Sequence, residues 1–196
     1  MLLLDTSRYQ AHERAEVVRG GLAELAGVDL APLDGDAAMK LRFRAWDMGD
    51  GCSLLNAQST GFHFRRRPSP DAGDESPVIG FSMMPAGSCR FSQNERQQII
   101  PGGGMFIAEM SAEFTCRFAA NSEGFNLMVP LEVLDVPLRD VRKAAEWLPL
   151  SPVCQLAAQH LVTLVRYTRE HDAPHPSAQQ AALHVLRALI KSFDAD

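Results

Sequence analysis

From Met39 the apolar residues fall at every second position, with Met39, Leu41 and Phe43 alternating against Lys40, Arg42 and Arg44. A period of two sends successive side chains to opposite faces of an extended chain, so the segment reads as a half-buried strand. Gly49, Asp50 and Gly51 then turn the chain, and further strand candidates cover 53–59, 62–67, 78–84, 88–91, 97–100, 105–109, 114–118 and 125–129. About nine short strands in roughly ninety residues, separated by Gly, Pro, Asn and Asp turns, point to a barrel or sandwich and away from alternating βαβ units. The longest interruption, 68–77, holds three acidic residues and three prolines and reads as a solvated, mobile loop.

The two ends of the chain have a helical period. A first helix is expected over about 12–25, with Ala15, Val18, Leu22 and Leu25 on one side, although Gly20 and Gly21 together cost about 1–2 kcal/mol of helix propensity. After Ser151 and Pro152, an N-cap and N1 pair, the residues Val153, Leu156, Ala157, His160, Leu161, Leu164, Val165 and Thr168 recur at intervals of three and four. Beyond Pro174 and Pro176, Ser177 and Gln180 form a capping box, and Ala178, Ala181, Ala182, Val185, Leu186, Leu189, Ile190 and Phe193 make a second stripe. Two stripes joined by a short link favour an antiparallel helical hairpin. Such a hairpin packs either on the strands or on a partner subunit. The partner alternative puts a dimer seam along Leu161, Leu164, Val165 and Thr168.

Charge and cysteine usage narrow the function classes. Nineteen Lys and Arg against 24 Asp and Glu give a net charge of −5, without the basic footprint of a nucleic-acid binder. No stretch approaches the roughly 20 apolar residues of a spanning helix, and three leucines after Met1 make no signal-peptide core, so a cytoplasmic location is expected. Cys52, Cys89, Cys116 and Cys154 show no C-x-x-C pair and no histidine in zinc spacing, and read as reduced structural thiols.

The residues that carry catalysis elsewhere are badly placed here. Of His12, His63, His160, His171, His175 and His184, only His63 falls among the strands, so a cupin enzyme's metal set is missing. His171 and His175 are separated by Pro174, which breaks a shared helical face. There is no G-x-S-x-G elbow, Glu109 and Glu113 read as a solvated pair flanking a turn, and Pro101-Gly102-Gly103-Gly104 matches neither a phosphate loop nor a dinucleotide pattern. The expectation is no catalytic residue, no metal and no cofactor, hence no enzyme.

Binding remains, because inward side chains of a small barrel either fill it or line a cavity for one small ligand. The ligand-binding candidates are Phe43, Trp46, Phe62, Phe81, Met83 and Phe106. Alternation in the run Arg65-Arg66-Arg67 separates Arg66 from its two neighbours, and an inward arginine could clamp a carboxylate; Arg65 is the candidate taken with the aromatic set. The expected effector is therefore small and apolar or aromatic, and anionic if an arginine points inward. The rivals are a small cupin-like enzyme of the isomerase type, which a metal assay would reveal, and an interaction module whose interior is filled.

Three segments in order carry a resemblance. They are Leu4-Asp5-Thr6-Ser7-Arg8 leading to His12-Glu13-Arg14, Gln98-Ile99-Ile100-Pro101-Gly102-Gly103-Gly104-Met105-Phe106-Ile107, and Phe125-Asn126-Leu127-Met128-Val129-Pro130-Leu131-Glu132-Val133-Leu134. Together the chain resembles the N-terminal effector-binding and dimerisation domain of AraC/XylS-type bacterial transcription regulators. The resemblance implies an α+β fold: a cupin-like β-barrel, or jelly roll, with a short N-terminal helix and a C-terminal antiparallel helical hairpin. It also implies a metal-free effector site in residues 1–150, a homodimerising or linking hairpin in 151–196, and contact with DNA only through a helix-turn-helix domain. No such domain is expected within these residues, where 151–196 carry four basic and four acidic side chains. The chain is thus expected to be the sensor part of a longer regulator.

Overall fold

The computed structural model describes residues 2–26, 28–32, 39–67 and 76–193. Most of the expected 68–77 loop lies outside the described residues. In chain order the elements are β1 (Leu2–Asp5), α1 (Arg14–Ala26), β2 (Val28–Pro32), β3 (Leu41–Gly49), β4 (Cys52–Ser59), β5 (Phe62–Arg66), β6 (Val78–Ala86), β7 (Ser88–Gln93), β8 (Arg96–Pro101), β9 (Met105–Glu109), β10 (Phe114–Phe118) and β11 (Ser122–Pro130). Four helices follow: α2 (Leu131–Leu134), α3 (Leu138–Trp147), α4 (Cys154–His171) and α5 (Pro176–Lys191).

The strands form two antiparallel sheets that face each other. One has the order β1-β3-β4-β11-β6-β9 and the other β2-β5-β10-β7-β8. The chain passes back and forth between them, with β4, β6 and β9 in the first and β5, β7 and β10 in the second, which is the winding of a double-sheet jelly roll. The hydrogen-bonded ladders do not join into one closed barrel, so the expected α+β jelly roll is present as a sandwich with edges. At one edge, Gln93 substitutes for a neighbouring strand. Its Nε2 donates to the Glu109 carbonyl at 2.8 Å, and the Glu109 N–H donates to its Oε1 at 3.0 Å.

Local turn chemistry sets the hairpins. Gly49, Asp50 and Gly51 all have positive φ, which reverses the chain tightly between β3 and β4. Asn94 and Glu95, at φ 52° and 64°, join β7 to β8, the double left-handed pair of a two-residue hairpin turn.

The six-stranded sheet is covered on both faces, by the other sheet on one side and by the helices on the other. Trp46, Leu54, Phe81, Leu127 and Val129 share a single apolar core with Leu161, Leu164, Val165, Leu186 and Leu189. The helical hairpin therefore packs on its own strands, and the core runs unbroken across residue 150. Polar contacts fasten it: Trp46 Nε1 donates to Asp172 Oδ1 at 3.1 Å, and Gln179 Nε2 donates to the Gly49 carbonyl at 3.3 Å. Arg169 reaches Glu123 at 3.4 Å, and the same carboxylate accepts from Asn56 and Gln58 at 3.0 Å each.

Helix starts differ from the expected caps. α4 begins at Cys154, three residues past Ser151, whose hydroxyl still accepts from Val153 N–H at 3.1 Å and meets that of Ser192 at 2.8 Å. α5 begins at Pro176, and its cap is the His175 ring, whose Nδ1 accepts from Ser177 N–H at 3.2 Å, instead of a Ser177 capping box. α1 starts at Arg14, near the expected position.

Candidate functional site

A cavity of about 560 Å³ lies between the two sheets. Strand parity decides its walls. Even-numbered residues of β5 and β10 (Phe62, Phe64, Phe114 and Phe118) form an aromatic wall, with successive ring centroids 4.8 to 5.9 Å apart. The facing sheet is mixed: Ser53 and Ser59 on β4, Ser82 on β6 and Asn126 on β11 supply polar groups among Phe43, Leu55, Met84, Phe106 and Met128, with small residues at Ala45, Ala57 and Gly124. One wall can thus stack on a flat ligand while the other supplies hydroxyl and amide groups.

The expected lining is partly assembled. Phe43, Phe62 and Phe106 face the cavity. Trp46, Phe81 and Met83 do not: they are buried on the opposite face of the six-stranded sheet, in the core beneath the helices. The physical reason is that this sheet has two apolar faces, so apolar residues continue through both parities, as in Val78-Ile79-Gly80-Phe81-Ser82-Met83-Met84. Size and hydrophobicity could not separate Phe81 from Met84. Phe64, Phe114 and Phe118 complete the aromatic wall, and the signal for Phe64 was its spacing of two from Phe62.

The arginine run also resolves by parity. Arg65 points outward, where its Nε donates to Glu113 Oε1 at 2.7 Å. Arg66 points inward and is the one charged side chain lining the cavity among the described residues. Burial lowers the guanidinium's proton affinity, yet an arginine this basic stays charged at neutral pH. Near the middle of the facing wall, Asn126 Oδ1 is buried without a hydrogen-bond partner. Gly80 gives that amide its place, because a Cβ there would lie 3.1 Å from Asn126 Oδ1 and 2.9 Å from Met110 Sδ.

Leu161, Leu164, Val165 and Thr168 cannot form a surface seam as the chain stands. All four are at most 3% exposed within the chain's own core, and the Thr168 hydroxyl is spent on the Leu164 carbonyl at 2.8 Å. The exposed large apolar side chains of the helical part are Trp147, Leu150, Leu156 and Tyr167.

A second groove, of about 460 Å³, separates α3 from β7, β8 and β9. Ion pairs brace it: Arg142 grips Glu109 through two nitrogens at 3.0 and 3.1 Å, and Arg96 meets Glu146 at 2.6 Å. Among the described residues no group of three or more His, Cys, Asp or Glu side chains is arranged to hold a metal ion, and no single helix is long and apolar enough to cross a membrane.

An AraC-binding-like domain matches residues 22–193, which is most of the chain. The chain belongs to the AraC-binding-like domain family. Its fold is similar to that of the AraC-like transcriptional activator CuxR, with a TM-score of 0.75 at 14% identity over 95% of this chain and 68% of that one. Weaker likenesses, at TM-scores of 0.36 and 0.38, are to a cupin domain of an XRE-family transcriptional regulator from Enterobacter cloacae (12% identity, 52% of this chain and 94% of that one) and to KdgF from Halomonas sp. (9% identity, 51% and 86%). No curated protein matches the sequence. In this AraC-binding-like domain the matched span takes in both the cavity and the helices behind it.

Proposed function

We propose that this AraC-binding-like domain senses a small effector for an AraC-type transcription regulator and has no catalytic step of its own. The observation that carries the reading is the cavity itself: a wall of phenylalanines facing a largely apolar wall with hydroxyl and amide groups set into it, on a sheet whose other face holds the helices. The effector is an apolar or aromatic molecule lying flat on the phenylalanines, with an anionic group directed to the Arg66 end. It acts in the cytoplasm, and DNA is contacted by a separate helix-turn-helix domain.

In this reading residues 1–150 sense and 151–196 transmit, as two roles within one folded unit. A ligand shifts a conformational equilibrium only by its differential affinity for the two states. The strands that line the cavity carry the contacts Trp46 to Asp172 and Glu123 to Arg169 on their other face, so a change in strand position alters how the helices sit. Dimerisation is assigned to the exposed side of the helical part, around Trp147, Leu150 and Leu156, in place of the buried Leu161, Leu164, Val165 and Thr168.

The test has two arms. Calorimetric titration of the purified chain with a panel of aromatic acids, neutral aromatics and sugars should give saturable binding for the aromatic members; binding by sugars alone overturns the effector class. Sedimentation equilibrium should give twice the chain mass, and a monomer at all micromolar concentrations overturns the dimer.

A further inference from the structure

The lining includes Cys116, and the adjacent strand β7 carries a second cysteine, Cys89. In the β10 to β7 ladder Cys116 lies opposite Phe91 and Phe118 opposite Cys89, so the two cysteines are diagonal neighbours on one face. Both side chains belong to the apolar cluster between the sheets, with Phe91, Phe106 and Phe114 around them. Both are free and 1% exposed.

We propose that Cys89 and Cys116 form a dithiol site in the cavity wall that takes a trivalent organoarsenical, its aryl group seated among the phenylalanines. The proposal rests on the cavity being a ligand site and names a second ligand class for it, thiophilic rather than merely apolar.

Geometry favours chelation over a disulfide. Diagonal cross-strand neighbours stand about 7–8 Å apart at Cα. A disulfide needs about 7 Å or less unless the backbone moves. One bridging atom spans the longer gap, and a pyramidal centre suits two sulfurs on the same face of adjacent strands better than a linear two-coordinate ion, which holds its sulfurs on opposite sides.

The protonation state fits the same chemistry. Burial pushes the Cys116 thiol well up, and Cys89 beside it pushes further in that direction, so neither a standing thiolate nor fast attack on peroxide is expected. An arylarsine oxide needs no standing thiolate. Two S–H bonds and the arsenic–oxygen bond break, two As–S bonds form, and the oxygen leaves as water with both thiol protons. Arsenic stays trivalent, so no oxidant or reductant enters.

Phenylarsine oxide is the probe. One equivalent added to the native chain should leave two of its four thiols to titrate once the chain is unfolded, resist an equimolar monothiol and be released by a small dithiol. Proteolysis should recover the Cys89 and Cys116 peptides joined through arsenic. Cys89→Ser and Cys116→Ser should each lose retention against the monothiol. Four thiols still titratable, or arsenic mapped to Cys52 or Cys154, overturns the site. Should either variant fail to fold, the peptide map of the native chain decides alone.

A neutral fluorescent aromatic separates this from the effector reading. Native protein that binds the fluorophore but retains no arsenic overturns the dithiol site and leaves the effector reading standing. Arsenic bridged between Cys89 and Cys116 without any fluorophore binding supports the dithiol site and counts against the effector reading.

Discussion

Arg66 and Gly124 mark the two properties that the cavity can be asked about one side chain at a time: charge and volume. Arg66→Gln keeps a polar but shorter side chain and removes the only charge on the described lining. Loss of a charged hydrogen bond is worth about 1.5–3 kcal/mol. Aromatic carboxylates should bind correspondingly less well by calorimetry, while neutral aromatics keep their affinity. Gly124 is the place to fill the space. A Cβ there meets Phe118 at 3.5 Å and Met84 at 3.7 Å, ordinary contacts, so the start of a larger side chain fits without moving the backbone. Gly124→Leu should reduce effector affinity at least tenfold, or about 1.4 kcal/mol. Thermal unfolding should move by less than about 1.5 kcal/mol, since the added methylenes enter a void and not a packed core. These residues also show what the amino-acid pattern could convey. An inward arginine was only one option for the run, and alternation from Phe62 and Phe64 puts Arg66 on their face, so the choice of Arg65 missed the cavity by one residue.

At the scale of elements, the α4 stripe was legible and its partner was not. Leu161, Leu164, Val165 and Thr168 repeat cleanly because one face of α4 is buried, and burial against the chain's own sheet writes the same pattern as burial against a second subunit. The two cases separate under mutation. Leu164→Asp places an unpaired charge in the core and should cost more than about 3 kcal/mol in chemical denaturation, with assembly lost only along with folding. Leu156→Asp, at 61% exposure, should leave stability within about 0.5 kcal/mol and weaken self-association by sedimentation. Dissociation of folded Leu164→Asp, or no effect on assembly from Leu156→Asp, would overturn this placement. The strands were well marked because Gly, Asn and Asp turns punctuate them. β1 and β2 carried too short a pattern to register, and α3 went unread although its apolar positions Val141 and Ala144 are buried.

For the whole molecule, the α+β class and a barrel or sandwich were readable from the density of short strands followed by two helical stripes, while the jelly roll came only from the family resemblance. The interior face was readable only in part. In a sandwich with one face in water, hydrophobicity alone tells inside from outside. Here the six-stranded sheet is apolar on both sides, so the pattern marks burial without saying which side is buried against what. That is why Phe43 and Phe106 were placed on the cavity and Phe81 and Met83 were placed there too.

The same double covering makes that sheet a partition one backbone thick, with the cavity on one side and the helices on the other. Neighbours in the chain, such as Ala45 and Trp46 or Leu54 and Leu55, report to different compartments. A saturation-mutagenesis map of β3, β4 and β11 should therefore look like a checkerboard, with substitutions at Ala45, Leu55, Ala57 and Asn126 changing effector response and those at Trp46, Leu54 and Leu127 changing abundance. It follows that the domain has no long wire to build: whatever bends the partition from one side is felt on the other in the adjacent residue.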